Sequence, residues 1–189
     1  MEKENLKEED NQLDKNKIKN LKFDKVDKEY EQKLIEVSRV TRVTEGGKRL
    51  RFRACVIVGN KKGKVGVGVA KSGDVALAVD KAFLQAKKNL TDVSFSSYTI
   101  PCEVISKFGA AKVMLKPATE GTNIVAGGPI RSLLELAGVQ NVVVKLLGST
   151  KNKITNIQAA MNGLKELKYY EDLRNEKFAD KQKQSEKDK

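Results

Sequence analysis

The sequence predicts an α+β fold made of two small domains, and three observations carry the prediction. β-branched or alternating apolar runs occur at 34–43, 48–58, 65–70, 103–108, 111–118 and 141–148. Helical periodicity follows the third run once, then interrupts and follows the later runs. The polar link Ser94 to Thr99 separates the two groups, and 189 residues suffice for one ordinary domain or two small ones. The expected organisation is a tail over 1–33, a first domain over 34–92, a second over 99–167 and a charged tail over 168–189.

In the first domain, LIEVSRVTRV (34–43) reads as a strand ending at the turn signal Gly46-Gly47. In KRLRFRACVIV (48–58), alternation puts Leu50, Phe52, Ala54, Val56 and Val58 on one face and Arg49, Arg51 and Arg53 on the other. GNKKGK (59–64) is a lysine-bearing turn, and VGVGVA (65–70) is a third strand with valines on one face and glycines on the other. A helix runs from about Asp74 to Leu90, with Val75, Ala78, Val79, Ala82, Phe83 and Ala86 in register and Ser72 or Asp74 as its cap. The block is β-β-β-α, a three-stranded sheet with one helix over its apolar face. Val67 is expected in that core beside Phe52, Val79 and Phe83.

The second domain opens with two strands, EVISKF (103–108) and AKVMLKPA (111–118), broken at Gly109-Ala110. The glycine-rich loop 119–130 leads into a short helix with Pro129 in its first turn and Gly138 as its stop. NVVVKLLG (141–148) is a strand, and 153–167 is a helix with Ile154, Ile157, Met161 and Leu164 in register. The block is β-β-α-β-α. The first 33 residues and the stretch from Tyr169 lack an apolar face and read as frayed tails.

The net charge is +12, and it is uneven. The segments 1–33 and 165–189 carry almost equal numbers of each sign, so the excess lies in the middle. Residues 39–64 hold nine cations against the single acid Glu45. Five of the chain's seven arginines are Arg39, Arg42, Arg49, Arg51 and Arg53, although lysine is its usual cation. A planar guanidinium fork suits phosphate oxygens and base edges, so this cluster, with Lys48, Lys61, Lys62 and Lys64, points to a polyanion. A merely solvated strand face would mix the two signs.

Other chemistries are excluded or weak. There is no histidine, which removes the commonest general base, the Ser-His-Asp triad and the usual zinc ligands. Glu120 is the sole acid of its loop and has no partner carboxylate, so neither acid–base catalysis nor a metal site is expected. GNKKGKVGVG fails the phosphate-loop pattern in both spacing and final residue. Gly127 and Gly128 precede a helix, where a phosphate could approach; a tight turn that fits the helix to its sheet is the competing reading. Cys55 and Cys102 read as reduced, small core residues. The longest uncharged run is 11 residues, too short to span a membrane, and the charged start MEKENLKEED does not suit export.

A longer composite signal adds to this. Gly47-Lys48, Phe52, Ala54, Ile57-Val58-Gly59-Asn60, Gly63, Val65-Gly66, Gly68, Asp74-Val75 and Ala78-Val79 resemble the signature of the bacterial-type small-subunit ribosomal protein S-five family. KVMLKPATEGTNIVAGGPIRSLLELAG and NVVVKLLGS are similar to that family's C-terminal domain. The resemblance covers about 34–167, with departures at Asn123, where the family often has glycine, and Lys153, where it often has proline.

The resemblance implies a double-stranded-RNA-binding-like first domain and a small α/β second domain of the family's domain-two type. It implies a non-enzymatic, cytoplasmic constituent of the small ribosomal subunit, without cofactor and not a homo-oligomer. Its place would be on small-subunit ribosomal RNA where the head meets the body, in support of translational accuracy. The family's neighbours there are proteins S-four and S-eight and the messenger RNA entry path. By the same resemblance the head–body loop is Thr41 to Arg49, including Val43, Thr44, Glu45, Gly46 and Gly47, and is linked to spectinomycin sensitivity. The contact with S-four maps to Phe108, Gly109, Ala110, Ala111 and Lys112. The alternative is a free-standing RNA-binding regulator, but Asp74 and Val75 stand where a duplex-clamping module needs a lysine-rich helix start. An RNA-processing enzyme would need a base or paired carboxylates that the sequence does not offer.

Overall fold

The computed structural model describes residues 29–93 and 99–187. The expected N-terminal tail as far as residue 28, and residues 94–98 of the polar link, lie outside the described residues. The elements are β1 (Glu31–Thr44), β2 (Gly47–Gly59), β3 (Lys64–Ser72), α1 (Val75–Lys88), β4 (Leu90–Asp92), β5 (Val104–Phe108), β6 (Ala111–Pro117), β7 (Ile124–Val125), α2 (Gly128–Ala137), β8 (Val142–Leu146) and α3 (Lys153–Lys187). They form two four-stranded sheets, ordered β1-β2-β3-β4 and β5-β6-β8-β7. This is the α+β architecture of two small sheet-plus-helix domains that the patterning predicts, with one strand more in each sheet.

The added strands are short. Asn89 caps α1 through its backbone N–H, and Leu90, expected as the last residue of the helix, instead opens β4, which pairs with β3. Within the glycine-rich loop, Ile124 and Val125 pair in parallel with Val142 and Val143. Asn123 holds the approach with φ 58, a left-handed conformation that asparagine tolerates better than most residues. Its N–H donates to Asn141 Oδ1 and its carbonyl accepts from Val142. Two boundaries also move. β1 starts at Glu31, inside the expected tail. α3 does not stop near Leu167 but runs to Lys187, because no glycine or proline follows Gly163 to end it.

The first sheet is approached closely on both faces. α1 lies on one face, where Ala54, Val56 and Val58 meet the buried Ala78, Ala82 and Ala86. Asp74 caps the helix, its carboxylate accepting from Val75 N–H. Gly66 and Gly68 are what let the helix come so near. A Cβ at Gly68 would collide with the Ala82 carbonyl and the Ala86 nitrogen, and one at Gly66 with the Ala86 carbonyl. The valines of β3 therefore point the other way, which corrects the expected placing of Val67 in the core beneath α1. Ile57 faces Val67 and Cys55 faces Val69 across the strands, and this side belongs to a core shared with the second domain. Burial pushes the Cys55 thiol up to about 11, with Glu36 adding to the rise, so it stays protonated. Cys55 and Cys102 are both free thiols.

The second domain supplies the rest of that core. Leu133, Leu134 and Leu136 of α2, and Ile157, Leu164 and Leu167 of α3, are essentially buried. Fully burying one such side chain is worth about 1.5–3 kcal/mol. The β2–β3 turn completes the seam: Lys61 N–H donates to the Leu136 carbonyl and Gly63 N–H to the Ala137 carbonyl, both at 2.9 Å. These are final carbonyls of α2, which otherwise lack helical partners. Gly138, left-handed with φ 92, ends that helix, as Pro129 begins it. Two ion pairs tie the domains at the surface, Lys33 to Glu135 and Lys168 to Asp92, each 3.1 Å. Lys168 falls in the stretch expected to be a charged tail, so that stretch takes part in the packing.

Two outcomes follow for stability. Gly68→Ala should cost about 1–3 kcal/mol in chemical denaturation through overpacking against α1. Gly46→Ala, where a Cβ meets nothing within 4 Å, should stay within about 0.5 kcal/mol. The Lys33 hydrogen bond, assisted by Arg131, holds the Glu135 carboxyl below the usual glutamate range. A depressed carboxylate stabilises the fold above its unfolded pKa of about 4.3 and loses that contribution as pH falls through the folded value. Glu135→Gln should flatten that acid-side loss in a pH series of melts.

Candidate nucleic-acid interface

The site arises from a mismatch of lengths. A 13-residue strand such as β2 extends about 44 Å at 3.4 Å per residue, whereas the 14-residue α1 covers about 21 Å. The helix packs over the second half of β2, where Ala54 to Gly59 are buried, and leaves Gly47 to Arg51 exposed. The β1–β2 hairpin thus projects as an arm. Leu50, expected in the covered apolar row, is 52% exposed for this reason, and Val43 is 74% exposed.

On one face of the arm the cations gather. Arg49, Arg51 and Arg53 share a side of β2 by alternation. Arg42 of β1 and Lys71 of β3 join Arg49 and Arg51 around one shallow groove, together with Val40, Thr41 and Thr44. None of these lining residues is acidic. Arg53 stands directly opposite Lys71 in the β2–β3 register, a like-charge pair that costs stability by itself. Arg53 Nε donates to Ser38 Oγ at 3.2 Å, which fixes the guanidinium at the base of the arm. Lys71 lies outside the cationic stretch that the sequence singles out. Counting back from the pairing Gly59↔Val65 places it opposite Arg53, but that register depends on the tight 60–63 turn.

The other expected cations lie apart. Arg39, one position after Ser38, falls on the opposite face, as does Lys48 beside Leu50, although Lys48 helps line the concavity at the tip. Lys61, Lys62 and Lys64 sit at the far end of β2. The backbone of that turn serves the seam with α2, and Asn60 Oδ1 accepts from Lys62 and Lys64 N–H, while the three lysine side chains face outward. The turn is therefore first a structural clamp.

At the tip, Thr41, Val43, Glu45, Gly46 and Gly47 are exposed and Thr44 is half-buried, its hydroxyl donating to the Gly47 carbonyl. Gly47 has φ 126, which disfavours any side chain; Gly46 does not share this constraint. In the second domain, Phe108, Gly109, Ala110 and Lys112 form an exposed hairpin end, but Ala111 is fully buried and cannot belong to a surface contact. Alternation turns it inward, opposite Phe108. Gly127, the N-cap of α2, and Gly128, its first residue, lie in open surroundings: a Cβ at Gly128 meets nothing within 4 Å, and one at Gly127 only Leu146 at 3.5 Å. Fitting the helix to its sheet does not require glycine there. Among the described residues no group of acids and cysteines could hold a metal ion, and no helix is long and apolar enough to cross a membrane.

Comparison with known proteins agrees with the fold. Residues 30–94 match the family model described as ribosomal protein S5, N-terminal domain, and residues 106–177 the one described as ribosomal protein S5, C-terminal domain. The chain is 52% identical over 139 residues to the small ribosomal subunit protein uS5 of Thermotoga neapolitana, covering 74% of this chain and 78% of that one. It is 45% identical over 151 residues to the uS5 of Thermosipho africanus, covering 80% and 82%. With that of Acaryochloris marina the identity is 43% over 163 residues, covering 86% and 92%.

The groove makes a quantitative prediction. Changing Arg42, Arg49 and Arg51 together to glutamine should leave the melt nearly unchanged, since all three are exposed. The slope of log affinity against log salt for a structured RNA should fall by about 2–3, near one unit for each phosphate the arm no longer neutralises. Filter binding across a salt series measures it, and an unaltered slope would show that the arm does not touch the backbone.

Proposed function

The chain belongs to the ribosomal protein S5 family, and on that premise we propose that its arginine-lined arm docks the protein on small-subunit ribosomal RNA at the junction of head and body. As an S5 protein it is a structural constituent of the small ribosomal subunit, working in the cytoplasm and not as an enzyme. The observation that supports the docking role is the groove of Arg42, Arg49, Arg51 and Lys71, which no lining acid neutralises. Arginine forks there provide bidentate contacts to phosphate, and the arm's length carries them clear of the body of the domain.

The hairpin tip is the part proposed to tune the junction and, through it, decoding accuracy and the response to spectinomycin. The exposed hairpin end at Phe108, Gly109, Ala110 and Lys112 is proposed as the contact with S4, its half-exposed phenyl ring offering an apolar anchor. Contacts with S8 and with the messenger entry path are carried over from the family resemblance alone. A free-standing RNA-binding regulator would share the groove but would not stay with the subunit.

Two measurements test this. The protein should co-sediment with small subunits through a high-salt gradient, and recovery at the top of the gradient would favour the regulator. Gly47→Asp should alter spectinomycin response while assembly stays near normal, because the change strains only the tip, where φ is 126. Failed assembly without a drug phenotype would make the loop an anchor for RNA folding and end the junction role.

A further inference from the structure

The second sheet has a charged face that the arm does not explain. Alternation along β5, β6 and β8 turns Val104, Ser106, Val113, Leu115, Val142 and Val144 inward, and all six are buried. The opposite face carries Lys107, Lys112, Lys116 and Lys145, every one exposed. Ile105, half exposed, and the partly buried Met114 and Val143 lie between them. Strands β5 to β8 contain no acidic residue; Glu103, just ahead of β5, is the nearest in sequence. The register sets Lys107 directly opposite Lys112, and Lys145 opposite Met114. Two ammonium groups facing one another across a strand pair are unfavourable without an outside counter-charge.

We propose that this lysine face is a second RNA-binding surface, taking the sugar-phosphate backbone of folded RNA independently of the arm. The inference rests on the reading of the chain as an RNA-binding protein. Lysine's compact point charge suits a phosphate oxygen without reading a base edge, so the contact carries no sequence preference. A protein partner fits less well, because the cores of protein interfaces are depleted in lysine. An exposed sheet face, alternate cationic and apolar side chains, and a self-repelling pair all point to a backbone lying across the strands.

The test compares four full-length proteins on small-subunit ribosomal RNA by filter binding between roughly 50 and 200 mM salt. They are the wild type, K107Q/K116Q/K145Q, K107R/K116R/K145R and R42Q/R49Q/R51Q; Lys112 is left intact because it also ends the proposed S4 contact. The lysine triple should lower the salt slope by about 2–3, and the effects of the two triples should add. K107R/K116R/K145R should keep the wild-type slope, which separates removal of charge from a damaged fold. A lysine triple that melts like wild type yet keeps its slope, while the arginine triple loses slope, overturns the second surface and leaves the arm standing. Normal RNA binding with failed entry into subunits overturns RNA as the occupant in favour of an acidic protein. No binding by the wild type removes both readings together.

Discussion

The structure depends on how closely the β2–β3 ribbon is approached from two sides. On one side the backbone of α1 lies against Gly66 and Gly68, where any Cβ would collide with a helix carbonyl. On the other, Cys55, Ile57 and Val65 enter the core shared with α2 and α3. A ribbon buried on both faces cannot turn a charged residue inward without losing its hydration, which costs several kcal/mol per ion. The cations of β2 are therefore confined to its first half, and that half has no helix to cover it.

The same constraint explains why the lysine turn at 60–64 is more than a charged tip. Its amides complete the last carbonyls of α2, so the turn locks the two domains while its side chains stay in water. Positive side chains near the end of that helix also complement its dipole. The surface ion pairs Lys33–Glu135 and Lys168–Asp92 lie at the margins of the seam and are exposed, so they add little beside the buried leucines and isoleucines.

Separation of the packed from the charged parts has a functional consequence. The arm can be altered at exposed arginines without touching the core, and the core can be altered at its glycines without touching the arm. Like-charged neighbours, Arg53 opposite Lys71 in the first sheet and Lys107 opposite Lys112 in the second, are tolerated because the domains' stability comes from elsewhere. Such pairs support the proposal that both surfaces meet an outside polyanion.

By itself the sequence determined the two-domain α+β order, the faces of β2, the caps of α1 and α2, and the cationic stretch 39–64. Each of these is written in local spacing: period two, period three to four, a cap residue, or a run of one charge. Local spacing could not decide which face of a strand meets which layer. The valines of β3 and the side of β2 that carries the arginines are the same face, yet it is core beside α2 and solvent along the arm. Nor did spacing show that α3 runs past Leu167, that Leu50 is exposed, or that Lys71 completes the groove. Only the tertiary structure decided these, because they depend on how far one helix reaches along a longer strand and on the register that a single tight turn imposes.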